Sequence, residues 1–185
     1  MNYHNILHDD IRNGSGLRVT LFISGCNHYC NNCQNPQTWD SNSGIEFDSN
    51  AKEEIFEQLS KDYIDGITFS GGDPLYKTNV EEVFSLIQEI QKRFPTKTIW
   101  LYTGYEFEDI FDITDEVSKS DDKIFENQIR RAIVLNCDVV VDGKFVDDLK
   151  DVKYHWAGST NQRVIDVYKT INNNMNVVLY KENLM

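Results

Sequence analysis

The sequence predicts an α/β protein built on a mostly parallel sheet covered by helices. Three observations carry that prediction. Apolar patterns alternate along the chain as strand, loop, helix, strand, helix, strand, helix, strand, an order that favours parallel strands with helical crossovers. Each strand-like run stops at glycine: Val19 to Ser24 at Gly25, Gly66 to Ser70 at Gly71 and Gly72, Lys97 to Thr103 at Gly104, and Asn136 to Val141 at Asp142 and Gly143. Three of the four cysteines fall within the eight residues 26–33, directly after the first of these runs. At 185 residues and 40% hydrophobic content, the chain is long enough for one domain with its own core.

The elements follow in order. Residues 1–17 are polar and contain Gly14 and Gly16, which reads as a flexible entry loop. The strand over 19–24 leads into the cysteines, and Thr38 to Gly44 is a turn-rich connection. Asn50 precedes Glu53, and Ile55, Phe56 and Leu59 recur at helical spacing, so a capped amphipathic helix is expected over about 50–61. Thr78 and Glu81 have the spacing of a capping box, and Val80, Val83, Phe84, Ile87, Ile90 and Phe94 mark one face of a helix over 79–94, which Pro95 follows. A short helix is expected near 106–113, a loop over 114–123 and a further helix over 122–134, from Ile124, Ile129 and Ile133. The tail reads as a hairpin, with strands at Arg163 to Lys169 and Asn176 to Tyr180 joined by the Asn-rich 170–174.

A net charge of −12 and a pI near 4.7 argue against nucleic acid or an anionic membrane as partner, since both require a basic face. The first 13 residues lack the apolar core of a signal peptide, and no run approaches membrane-span length. One clustered set of cysteines does not read as a disulfide framework, so a reducing, cytoplasmic setting is expected.

Cys26, Cys30 and Cys33 form a C-x3-C-x2-C loop. Crowded thiols on a short loop converge on a metal centre. A structural zinc site takes four closed ligands, and His28 could supply the fourth. His28 lies only two residues from Cys26 and from Cys30, however, and zinc ligands usually arrive as two separated pairs. Three thiolates suit a 4Fe–4S cluster with one iron left open. Gly71 and Gly72 allow close backbone approach to a ligand, and Asp73 adds an acidic acceptor; a tight turn without a ligand is the plain alternative. Tyr102 to Tyr105 end a strand and read as core or as pocket wall. Asp142 and Lys144 read as a solvated turn, with a pocket or partner-facing role as the alternative, Asn161 to Arg163 as a polar cluster that could meet a ligand carboxylate, and Cys137 as an inert buried thiol. His8, Asp9 and Asp10 read as surface residues. No nucleophile elbow, P-loop or G-x-G-x-x-G motif is present.

The C-x3-C-x2-C loop after a first strand resembles the radical S-adenosylmethionine (radical SAM) superfamily. Met1–His4, Gly14–Gly16, Leu21–Cys26, Ser70–Leu75, Trp100–Tyr105, Val141–Phe145 and Gly158–Gln162, in this order, resemble the family of activating proteins of the anaerobic ribonucleoside-triphosphate reductase. The resemblance spans residues 1–163, the expected activase domain, and leaves 164–185 as a C-terminal extension packed on it. It implies that the sheet is a partial (β/α) barrel and that residues 1–17, instead of a flexible loop, are a lead-in packed near the cysteine loop. Cys26, Cys30 and Cys33 would hold one 4Fe–4S cluster per chain, and the open iron would take the amino and carboxylate groups of S-adenosylmethionine. Asn32, Cys33 and Gln34 would face the adenine, and Gly71, Gly72 and Asp73 the methionine ammonium. The implied reaction is electron transfer to the sulfonium, release of methionine, and hydrogen abstraction by the 5′-deoxyadenosyl radical from a glycine Cα. The implied partners are the large subunit of the reductase and a donor such as reduced flavodoxin. Two departures are visible: Asp73 stands where many superfamily members have Glu, and Asn32 where many have an aromatic residue that Tyr29 would have to replace. The rival readings are an activase of another glycyl-radical enzyme, of the pyruvate formate-lyase type, and a non-catalytic, zinc-stabilised binding module.

Overall fold

Strong β-formers in short runs, separated by amphipathic helices, assemble here into one sheet with all the larger helices on one side. The structure, a computed structural model, describes residues 1–114 and 120–181. Its elements are β1 (Asn2–Asp10), β2 (Arg18–Ile23), β3 (Ile45–Glu46), α1 (Ser49–Leu59), β4 (Gly66–Gly71), α2 (Val80–Arg93), β5 (Thr98–Tyr102), α3 (Phe107–Phe111), α4 (Asp121–Leu135), β6 (Val139–Asp142), β7 (Arg163–Asp166) and α5 (Val167–Asn172). The sheet runs β3-β1-β2-β4-β5-β6-β7 and is not closed. β2, β4, β5 and β6 are parallel, while β1 and β7 join the two flanks antiparallel. No helix among the described residues is long and apolar enough to cross a membrane.

The period of two along each strand separates two faces. Val19, Leu21, Ile23, Ile67, Phe69, Ile99, Leu101 and Val140 belong to the core that α1, α2 and α4 complete with Ile55, Leu59, Val83, Ile87, Ile90 and Ile133. Each such side chain, fully buried, contributes roughly 1.5–3 kcal/mol. The other face carries Arg18, Thr20, Phe22, Thr68, Ser70, Thr98, Trp100 and Tyr102. In register across the sheet these form layers, Arg18 beside Gly66 and Thr98, then Thr20 beside Thr68 and Trp100. Arg18 is fully buried and, among the described residues, donates only to neutral oxygens: Thr68 Oγ1, Thr98 Oγ1 and the carbonyls of Ser15, Ile67 and Thr98. Burial pushes its guanidinium down to about 10, and the Trp100 ring lies 5.4 Å away. Gly66 is required beside it, because a Cβ there would stand 1.9 Å from the Thr98 carbonyl oxygen.

Several expectations need correction. Residues 2–10 of the polar N-terminus form β1, so only 11–17 are an irregular lead-in, which lines the same cavity as the cysteines; Asp10 is buried, accepting from Thr20 Oγ1, Arg12 N and Asn13 Nδ2. Asp48 caps α1, ahead of Asn50, by accepting from the backbone of Asn50 and Ala51. The capping box of Thr78 and Glu81 does not form; Asn79 is the N-cap, and its side chain donates to the carbonyls of Ser24 and Asp73. Of the expected 114–123 loop, 115–119 lie outside the described residues, and Asp121–Lys123 are already helical. The tail does pair antiparallel, through Ile165 and Leu179, but α5 is the connection, so Val167–Lys169 are helical. Its first strand, β7, belongs to the main sheet.

Asp142 is not a solvated turn residue. It is 1% exposed and accepts from the Phe107 N–H and from Arg163, its cross-strand partner. Arg163 also grips Glu108, and that hydrogen bond holds the Glu108 carboxyl below the usual carboxylate range. Arg163→Ala would leave the Asp142 carboxylate buried with one N–H donor. The expected loss is about 3 kcal/mol in urea unfolding, because removing one partner strands the other charge; a loss under about 1 kcal/mol would show that water replaces the guanidinium.

Candidate metal centre

The chain leaves the parallel strands at one edge, and the backbone there is stitched together. Gly25 N donates to Thr38 O, Cys26 N to Trp39 O, Gly72 N to Ile23 O, Asp73 N to Gly25 O and Thr103 N to Val141 O. The residues after β2, β4, β5 and β6 thus share one rim, where ligands gather in open α/β sheets. A cavity of about 1070 Å³ opens beneath this rim and runs along the helix-free face to residues 12–17. That exceeds the roughly 300–1,000 Å³ typical of small-molecule pockets.

Cys26, Cys30 and Cys33 are free, half-buried thiols, and all three line the cavity. Left-handed backbone at Tyr29 (φ 48°) and Asn32 (φ 53°) turns the loop back on itself, and Cys33 N closes onto Cys30 O. Burial pushes the Cys26 thiol up to about 11 and raises Cys30 as well. A bound cation would reverse that preference, since coordination deprotonates a thiol outright. Among the described residues no three His, Cys, Asp or Glu side chains are grouped to hold a single metal ion, but three soft donors lining one cavity are the donor set of an iron–sulfur cluster. His28, the fourth ligand of the zinc reading, is turned away to Asp73, with Nε2 2.6 Å from Oδ2. Cys137 lies apart, buried, with its sulfur on the Ile133 carbonyl.

The neighbouring side chains divide. Gln34 lines the cavity, whereas Asn32 reaches outward to Asp147 Oδ2 at 2.6 Å. Tyr29 is 64% exposed and stands edge-on to Trp39, so it does not supply an aromatic wall. Gln162 lines the cavity, bonded to Gly143 O and to Gly158 N. Arg163 lies elsewhere, in its ion pairs.

Gly71 and Gly72 line the cavity, but their lack of a side chain is already used by the protein. A Cβ on Gly71 (φ 101°) would meet Ile23 N at 2.6 Å, and one on Gly72 would meet Gly25 O at 2.5 Å. The end of β2 therefore requires both glycines. Asp73 is wholly buried. Its carboxylate accepts from Leu75 N (2.8 Å), Gly104 N (2.9 Å), Thr103 Oγ1 (3.0 Å to each oxygen) and His28.

The fold and this thiol loop define an iron–sulfur protein of the single-cluster class, and the family model described as "4Fe-4S single cluster domain" matches residues 12–165. The anaerobic ribonucleoside-triphosphate reductase-activating protein of Enterobacteria phage T4 is 42% identical over 164 residues, covering 89% of this chain and 93% of the relative. The proteins of the same name from Escherichia coli K12 and Haemophilus influenzae are 41% and 37% identical, covering 97% and 96% of their own lengths and 89% and 88% of this chain. The chain belongs to the family of anaerobic ribonucleoside-triphosphate reductase-activating proteins.

One further group on the cavity wall is Tyr102. Its hydroxyl is buried and has no hydrogen-bond partner among the described residues, and burial raises it above the usual phenol range. An unpartnered buried hydroxyl contributes no bond to lose. Tyr102→Phe is therefore expected to leave the thermal midpoint unchanged or slightly raised. A fall of more than about 1 kcal/mol in stability would mean that the hydroxyl is bonded in solution.

Proposed function

We propose that this protein activates the anaerobic ribonucleoside-triphosphate reductase by generating a glycyl radical in the large subunit of that enzyme. The observation that carries the proposal is the placement of three free thiols on the rim of a cavity at the joined strand ends, in a chain whose relatives bear the name of reductase activators. Cys26, Cys30 and Cys33 would hold a 4Fe–4S cluster. When bound, that cluster supplies one electron to S-adenosylmethionine, which yields methionine and a 5′-deoxyadenosyl radical able to take hydrogen from a glycine Cα.

The chain's own residues would bind, orient and shield. The turn of Gly71, Gly72 and Asp73 would meet the methionine end through its backbone, because the Asp73 carboxylate is already engaged. The adenine end would lie along Asn32, Cys33 and Gln34, from Asn32 through its backbone, since its amide is held by Asp147. The open sheet, with helices on one face and the cavity on the other, supports a partial barrel of the radical SAM type. Residues 1–163 would then form the activase domain and 164–185 an extension packed on it. A reduced flavodoxin is the proposed donor and the cytoplasm the proposed setting.

The test is anaerobic reconstitution with iron and sulfide, reduction, and addition of S-adenosylmethionine with the reductase. The expected outcome is 5′-deoxyadenosine together with a glycyl-radical signal in the reductase from the wild type, and neither from Cys30→Ala. Zinc at about one per chain with no 5′-deoxyadenosine from the wild type would overturn the proposal.

A further inference from the structure

A buried side chain from between the first two thiols of the cysteine loop reaches the strand ends. His28 Nε2 lies 2.6 Å from Asp73 Oδ2, and the imidazole is the donor to this carboxylate. The pair is closed off from solvent, with side chains 8% and 1% exposed. A carboxylate offers about four lone-pair sites, and here Leu75 N, Gly104 N, Thr103 Oγ1 and His28 use them. Three of those donors belong to the chain after β4 and β5, and only His28 comes from the cysteine loop.

The opposite wall is shaped for the ring. A Cβ on Gly104 would stand 2.4 Å from His28 Cδ2 and 2.7 Å from Nε2. Gly104 does not have the left-handed φ that calls for glycine. Its missing side chain is therefore accounted for by the imidazole, not by its backbone. Tyr105 completes the seat edge-on, with ring centroids 4.7 Å apart. Residues 28, 73 and 104–105, distant in sequence, are thus built around one side-chain contact, which adds to the backbone bond from Asp73 N to Gly25 O in holding the segment of Cys26 and Cys30 against the Gly-Gly turn.

We propose that His28 is a positioning residue: its hydrogen bond to Asp73, in the seat left by Gly104, sets the distance between the cluster-bearing loop and the Gly71–Gly72 turn where S-adenosylmethionine is proposed to bind. This deepens the function proposed above and rests on it. Asp73 accordingly acts through His28 as an internal clamp, and its carboxylate does not contact the ligand.

The variants are His28→Leu, which removes the donor, and His28→Gln, which returns an amide donor. Each is reconstituted and reduced, and the electron paramagnetic resonance of the cluster is titrated with S-adenosylmethionine. The expected result is near-normal iron and sulfide content in His28→Leu, a concentration for the spectral response raised about tenfold or more, and recovery toward wild type in His28→Gln. An unchanged titration in His28→Leu would overturn the proposal. If the wild type itself gives no response, the reading of the reaction fails, and His28 is judged by the rate of iron loss to a chelator. Loss about tenfold faster in His28→Leu and restored in His28→Gln supports positioning, and equal rates refute it. If His28→Leu takes up no iron, Gly104→Ala decides. It should lower the thermal midpoint of the cluster-free protein alone but add nothing in a His28→Ala background, and additive effects would refute the contact. If neither His28→Leu nor His28→Gln retains iron while Asp73→Asn does, His28 is a metal ligand and the proposal falls.

Discussion

The buried carboxylate of Asp73 is the constraint on which this structure turns. An isolated carboxylate out of water is costly, and such a charge persists only where its lone pairs are met. Here they are met by backbone N–H groups after β4 and β5, by one hydroxyl and by one imidazole. Each of these partners comes from a segment with no regular structure of its own at that point. Meeting the demand of one charge therefore specifies where the β4 turn, the β5 turn and the cysteine loop must lie. Asn79 continues the arrangement, since its amide donates to the Asp73 and Ser24 carbonyls and so ties the start of α2 to the same rim.

The sheet below the rim has to serve two environments. Its helix-facing side is Val, Leu, Ile and Phe and is closed by α1, α2 and α4. Its other side cannot be closed in that way without filling the cavity, so it carries Thr, Ser and aromatic residues with a buried arginine at its base. Arg18 has no carboxylate in its hydrogen-bonding shell among the described residues. It spends its donors on carbonyls and hydroxyls of neighbouring strands, holding β2, β4 and β5 at their amino ends as Asp73 holds the latter two at their carboxyl ends. The parallel strands are thus pinned at both ends by polar groups, and the middle is held by apolar packing.

Much of this was legible in the sequence because period and punctuation are local. The strands that lead into Gly25, Gly71, Gly104 and Gly143 and the amphipathic α1, α2 and α4 could be placed to within a few residues. The three thiols could be expected together on one loop after a strand, and all three do line the cavity. Long-range contacts could not be read. β1 is a strand because β2 would otherwise present an open edge, and its own residues alternate poorly. Asp10 and Asp142 look like surface residues until Thr20 and Arg163 arrive from elsewhere in the chain. Thr78 and Glu81 have a capping-box spacing, but Asn79 is drawn to the rim instead. His28 could be flagged as a donor near thiols, yet its partner lies 45 positions away.

The glycines show why a motif has to be weighed against its packing. After a strand, two glycines invite the inference that a ligand lies against them. In this fold the space over Gly71 and Gly72 is taken by Ile23 and Gly25 of the neighbouring strand end, and the space beside Gly104 by an imidazole. Those residues would be required even if nothing were ever bound. What they secure is a rim already fixed before any ligand arrives, with the thiols, the turn and the cavity mouth held by protein contacts. Such a site loses little conformational freedom on binding, so contacts made there retain more of their worth as affinity. The glycines thus serve a ligand indirectly, by letting β2 and the cysteine loop approach closely enough for Asp73 to hold both edges of the opening at once.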